Sequence, residues 1–156
     1  MKKALQFAIM LCFTLVVSSC KKDEEPEPTV TTPTPSLYTR LGGIDAISAV
    51  TDQFLANVVG DDVINARFAA TVADPYRTQL LRNNLIDQIC AAAGGPCQYK
   101  GKTMLEAHEG MMITETEFNA LVGDLVASLN TFSVPAAEQN ELLTILGGLQ
   151  PDIVGQ

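Results

Sequence analysis

His108 is the only histidine in this chain of 156 residues, and it sits in the stretch "MLEAHEGMM", residues 104–112. On a helix, the positions four before and three or four after share its face, and these are Met104, Met111 and Met112. An imidazole in that company points into the protein or at something bound there. One histidine cannot hold a bare zinc or copper ion, which asks for three or four protein ligands. No second histidine exists, and no carboxylate cluster brackets this one. The plainest reading is a buried, hydrogen-bonded core histidine among methionines that fill space. One cofactor escapes the shortage of ligands. Haem brings four nitrogens of its own, needs a single axial imidazole from the protein, and gains affinity by burying an apolar disc.

Cys90 and Cys97, in "CAAAGGPC", are the second group with chemistry. Their spacing is not that of a two-pair zinc site, and the chain has no Cys-x-x-Cys-His for covalent haem attachment. In an oxidising compartment they can pair as a disulfide; otherwise they are two free thiols, open to a role as a redox sensor.

The elements that must position these residues read as helices almost throughout. "LYTRLGG" is a short helix stopped at Gly42-Gly43. From Ile44 to Val59, apolar residues recur at Ile47, Val50, Phe54 and Val58. Asp61 or Asp62 can cap a short segment ending at Phe68. Asp74-Pro75 opens a helix that runs to Ala93 and stops at Gly94-Gly95-Pro96. Residues 96–102 are a loop, and a short helix then carries Met104 and His108. Thr114 and Glu117 form a capping box. The helix behind it carries an apolar stripe at Phe118, Leu121, Val122, Leu125, Val126, Leu129 and Phe132. After Pro135 a last helix turns Leu142, Ile145, Leu146 and Leu149 inward. No stretch alternates with period two, so the domain is expected to be all-α, with about five substantial helices, as a bundle or a globin-like stack.

The ends and the charge bound the function. Residues 1–19 have a basic start at Lys2 and Lys3, an apolar run, and small residues up to Ser19, which is the pattern of a secretory signal. Cys20 follows where a bacterial lipoprotein would carry its lipid. Residues 20–36 are then expected to form a lipidated cysteine and a charged, Pro- and Thr-rich tether, with plain secretion after cleavage near Ser19 as the alternative. The domain of residues 37–156 is therefore expected outside the cytoplasm, anchored to a bacterial membrane, with the outer membrane or the cell surface favoured. Removing Lys2 and Lys3 from the 10 basic residues leaves 8 against 18 acidic ones. That balance excludes nucleic acid as a natural partner.

From residue 37 to about 154 the chain resembles the group 1 truncated haemoglobins. "LYTRLGGIDAISAVTDQF" is similar to the family's opening. "AAAGGPCQYKGKTMLEAHEGM" is similar to its central signature of Gly-Gly-Pro, Tyr-x-Gly and Met-x-x-x-His, and "ITETEFNALVGDLVASL" to the helix that follows. The resemblance implies an all-α, two-over-two helical sandwich that holds haem b non-covalently, with His108 as the proximal ligand of the iron. It puts Phe68 against the haem, Tyr99 within reach of a propionate, and Met104, Ile113, Phe118 and Val122 on the proximal side. On the distal side the family commonly has Phe-Tyr, where this chain has Phe54-Leu55. Counting back from Gly94 places Leu81 and Leu85 where the family offers polar side chains, with Asn84 and Gln88 the nearest polar residues.

A distal pocket of Leu55, Leu81 and Leu85 lacks a donor for bound dioxygen. Such a hydrogen bond is worth about 1.5–3 kcal/mol, so its loss weakens O2 retention roughly ten- to a hundredfold. O2, NO and CO all stand as ligands. Turnover of NO would need an electron donor, and the chain has no flavin- or nicotinamide-binding motif, so binding is expected rather than catalysis. The competing reading is a haem-free helical surface lipoprotein that acts as an interaction module.

Overall fold

A computed structural model describes residues 34–156. The signal segment, Cys20 and the tether up to residue 33 lie outside the described residues. The described residues form seven α-helices: α1 Leu37–Arg40, α2 Gly43–Gly60, α3 Asn65–Val72, α4 Pro75–Ala92, α5 Met104–His108, α6 Glu115–Thr131 and α7 Ala136–Gly147. A 3-10 turn follows at Gln150–Asp152. Among the described residues there is no strand, only an isolated parallel bridge between Ile113 and Val154. None of these helices is long and apolar enough to cross a membrane.

The expected caps hold the ends. Asp74 accepts from the backbone N–H groups of Tyr76 and Arg77, and Pro75 stands where its missing N–H costs nothing. Thr114 and Glu117 close their capping box at α6. Thr103 and Glu106 close a second one at α5, a match the sequence reading passed over. At the "LGG" corner Gly42 and Gly43 take left-handed φ values of +94° and +76°, which a side chain would resist. The Tyr38 ring lies beside Gly43, and its hydroxyl accepts from Ile44 N at 3.1 Å, doing the capping that Gly42 cannot.

Helix α2 is the centre of the stack and packs on both α4 and α6. Val58, Leu129 and Leu142 are buried to 1% exposure, with Ile47, Phe54, Ile86 and Leu125 around them. Burying each of the larger side chains contributes about 1.5–3 kcal/mol. Cys90, fully buried in this core, is joined to Cys97 in a disulfide. Gly95 lies beside it because a Cβ there would come within 2.5 Å of Tyr38 and 2.7 Å of the Cys90 sulfur.

Four expectations differ. Helix α3 does not end at Phe68 but runs to Val72, and its N-cap is Ile64. Asp61 accepts from Val63 N in the preceding turn instead of capping the helix. Phe132 lies at the C-cap of α6, where the chain turns away, and is 47% exposed. Ile145 is 38% exposed, because α7 meets the core through Leu142, Leu143 and Leu146, an i, i+1, i+4 set that excludes it.

Candidate functional site

Helices α2 to α6 enclose a cavity of about 730 Å³, within the range of pockets that take small molecules and cofactors. Phe54, Leu55 and Val58 line it from α2, and Phe68 and Thr71 from α3. From α4 come Leu81, Asn84, Leu85 and Gln88. The loop after α4 adds Tyr99 to Lys102, α5 adds Met104 and His108, and Ile113, Phe118 and Leu121 close the far wall. Of the residues that the resemblance places around the cofactor, all but Val122 are thereby brought to one cavity, whereas Met112, expected on the face of His108, is 66% exposed and outside it. Val122 is half-buried on α6 next to Leu121 but is not part of the lining.

His108 is partly buried at the last position of α5. Its Nδ1 lies 2.7 Å from the carbonyl oxygen of Met104, one turn back. A carbonyl can only accept, so Nδ1 carries the proton and donates. In the neutral ring Nε2 is then left with a bare lone pair. A metal-ligating histidine is commonly oriented in this way. Among the described residues no group of three or more His, Cys, Asp or Glu side chains could hold a bare metal ion. The donor set thus suits a metal that arrives with its other ligands.

Tyr99 stacks over Gly101, where a Cβ would run into its ring and hydroxyl, and this close approach explains the Tyr-x-Gly pair. The Tyr99 hydroxyl donates to Lys102 O at 2.8 Å, and burial pushes its pKa up. On α4 the sequence count singled out Leu81 and Leu85, yet Asn84 and Gln88 line the same cavity. The Gln88 amide donates to the Met104 sulfur at 3.3 Å, joining the α4 wall to the helix of His108.

The sequence reading missed the cations. Residues 34–156 hold six: Arg40, Arg67, Arg77, Arg82, Lys100 and Lys102. Three are committed to close ion pairs, Arg40 with Glu138 and Glu141, Arg67 with Glu117, and Arg82 with Asp52. Arg77 has only a loose, exposed contact with Asp74 at 3.6 Å. Lys100 and Lys102 are in no ion pair among the described residues. These three loosely committed cations all line the cavity. In a chain with a net charge of −8 that arrangement suits an occupant with an apolar body and an anionic edge. Pairing each cation with its nearest carboxylate would have hinted at it, but the partners come from distant helices.

The one carboxylate in the lining, Glu117, is not free to act. Hydrogen bonds from Arg67, then from the backbone and hydroxyl of Thr114, hold its pKa down at about 2.

Residues 36–154 match the family model described as bacterial-like globin. The chain is 30% identical over 118 residues to a group 1 truncated hemoglobin from Mycolicibacterium paratuberculosis, covering 76% of this chain and 83% of that one. It is 31% identical over 121 residues to a group 1 truncated hemoglobin from Tetrahymena pyriformis, covering 78% of this chain and 96% of the relative. The crystal structure of the Tetrahymena pyriformis truncated hemoglobin in its Fe(III) form superposes with a TM-score of 0.71 at 29% identity, covering 78% of this chain and all of that one. A 2/2 hemoglobin from a Synechococcus species, with covalently attached heme, superposes with a TM-score of 0.69 at 28% identity, covering 77% and 98%.

Proposed function

The chain belongs to the bacterial-like globin family, and we propose that its cavity holds one haem whose iron is ligated by Nε2 of His108. The observation that carries this reading is the 2.7 Å bond from His108 Nδ1 to Met104 O, which leaves Nε2 bare in a cavity of haem-accommodating size. When bound, the haem supplies an iron with a free coordination position for a diatomic gas. The chain's own residues do the rest. Phe54, Leu55, Val58, Leu81 and Leu85 give the disc an apolar wall and keep water away from it. Arg77, Lys100 and Lys102, exposed residues of the lining, would hold its propionates.

Attachment is non-covalent in this reading. Cys90 and Cys97 spend their sulfurs on each other, and the sole histidine is the ligand. This chain would differ in that respect from the similar Synechococcus protein. Extraction with acid and an organic solvent should remove the haem completely.

Gas binding fits better than turnover. Peroxidase-type chemistry asks for a side chain that can give and take a proton beside the ligand. The only lining carboxylate, Glu117, is held ionised by Arg67. With Leu55, Leu81 and Leu85 on the wall and the Gln88 amide held by the Met104 sulfur, NO and CO should be retained better than O2, because they depend less on a donated hydrogen bond. We also propose that Cys20 is lipid-modified and that the domain is displayed on a bacterial membrane, a reading supported by the small residues before that cysteine. Incorporation of a labelled fatty acid that is lost in Cys20→Ser would test it.

The deciding experiment is the absorption spectrum of haem-reconstituted protein, reduced, with and without CO. A Soret band that shifts on CO addition is expected. His108→Ala should lose the five-coordinate spectrum and recover it with free imidazole. No Soret band in the native chain, or an unchanged band in His108→Ala, refutes the reading.

A further inference from the structure

We propose that the Arg67–Glu117 ion pair is a positioning device for His108: it pins the segment after the histidine to the helix that carries Phe68, and so sets where the imidazole stands in the cavity. The inference rests on the reading of His108 as the iron ligand. It begins from how little α5 can do alone. Five residues make just over one turn, which is far below the length at which a helix holds itself in water. The bond from Nδ1 to Met104 O orients the ring on α5 but does not place α5 in the protein.

The placement comes from outside. The Arg67 guanidinium donates from Nε and Nη2 to the two carboxylate oxygens of Glu117, at 2.7 and 3.1 Å. Its Nη1 donates to Met111 O at 2.8 Å. Met111 N in turn donates to His108 O at 2.9 Å, so two hydrogen bonds lead from the guanidinium to the histidine backbone. Glu117 also accepts from Thr114 N and Oγ1 at 2.9 and 2.8 Å, which fixes the start of α6 to the same carboxylate. Between these anchors Met112 takes a φ of +50°, a left-handed conformation that a non-glycine residue keeps only when its surroundings hold it there. From the other side Gly155 N donates to Ile113 O at 2.9 Å. Residues 109–113 are therefore held by α3, α6 and the C-terminal turn together. An arginine suits the task because its rigid planar fork reaches both carboxylate oxygens and the carbonyl from three separate nitrogens, whereas a lysine must share one nitrogen among them.

Amide hydrogen exchange on the full, haem-free chain tests the pair. In Arg67→Met, exchange at residues 109–113 should rise about tenfold or more, the loss of one charge-assisted bond, while the core of α2 keeps its protection. Arg67→Lys should fall between. Arg82→Met is the control: it removes an equally close pair, to Asp52, that joins α4 to α2 away from the cavity lining, and it should leave 109–113 unchanged. In haem-loaded protein, Arg67→Met should also shift the iron–imidazole stretching band, a signature that a loss of stability alone would not move. Unchanged exchange at 109–113, a uniform rise over the whole chain, the same rise in Arg82→Met, or an unmoved stretching band overturns the proposal. Failure of the native chain to take up haem would overturn the ligand reading, while the exchange experiment still decides the clamp.

Discussion

Reducing the Cys90–Cys97 disulfide should cost the fold about 2.5 kcal/mol. The two cysteines are seven residues apart, so the bond closes a small loop. The chain-entropy relation, −2.1 − 1.5R ln n with n about 8, gives roughly −8 cal/mol/K, which is about 2.5 kcal/mol at 25 °C. Packing makes that figure a lower bound. Cys90 is fully buried, and the freed sulfurs must move apart to van der Waals separation. Gly95 and Tyr38 leave little room, since a Cβ on Gly95 would already meet the Cys90 sulfur at 2.7 Å.

Guanidinium unfolding followed by circular dichroism, with and without a phosphine reductant, measures the effect. The midpoint should fall by roughly 0.5–1 M with little change of slope. Alkylation and peptide mass mapping confirm that this bond is the one opened. The site should feel the change as well. The loop that the disulfide ties down carries Tyr99, Lys100, Gly101 and Lys102 into the cavity, so haem should leave the reduced protein faster. An unmoved midpoint after complete reduction would refute the reasoning, and so would two free thiols at Cys90 and Cys97 in the native protein.

The acid limb offers another test. The Glu117 pKa is lowered in the fold, from 4.5 to about 2, so its contribution is fully present above pH 4.5 and is lost as the pH falls towards 2. Glu117→Gln should flatten the pH dependence of unfolding in that window, and an unchanged slope there would contradict the shift. Gly95→Ala should destabilise by about 1–3 kcal/mol through overpacking alone, since its φ is not in the left-handed region; thermal unfolding shows it. Leu55→Tyr should slow O2 dissociation from the haem-loaded protein roughly ten- to a hundredfold by supplying a donor. It should change CO dissociation far less, and flash photolysis or stopped-flow mixing separates the two.

The elements were legible because each carries a local signal. Asp74-Pro75, the Thr114–Glu117 box and Gly94-Gly95 mark ends whose bonds form within three or four residues, and those ends stand where expected. The misplaced features depend on what lies across space. Phe132 continues the α6 stripe on a helical wheel, but α6 stops one residue before it and leaves it half exposed. Ile145 has the same composition as its neighbours, and only the angle at which α7 meets the core exposes it. The disulfide was open between two states in the sequence, since the spacing permits pairing and only the backward turn of the chain at Gly94 brings the two Cα atoms to 5.7 Å.

The cavity wall on α4 shows the same limit at its most consequential place. Counting back from Gly94 selects Leu81 and Leu85, one face read at a spacing of four. A cavity wall accepts a broader arc, and residues 81, 84, 85 and 88 fall at i, i+3, i+4 and i+7, a stripe about a hundred degrees wide. All four line the space. Two leucines thus share the α4 wall of the cavity with two amides, Asn84 and Gln88. Of the amides, Gln88 is bonded to the Met104 sulfur, which is a weak acceptor. A stronger acceptor brought into the cavity would compete for that N–H at little cost. If the cavity holds haem as proposed, ligand preference would depend on how far Gln88 can swing from Met104 as well as on the leucines, and Met104 lies on the same short helix as the imidazole.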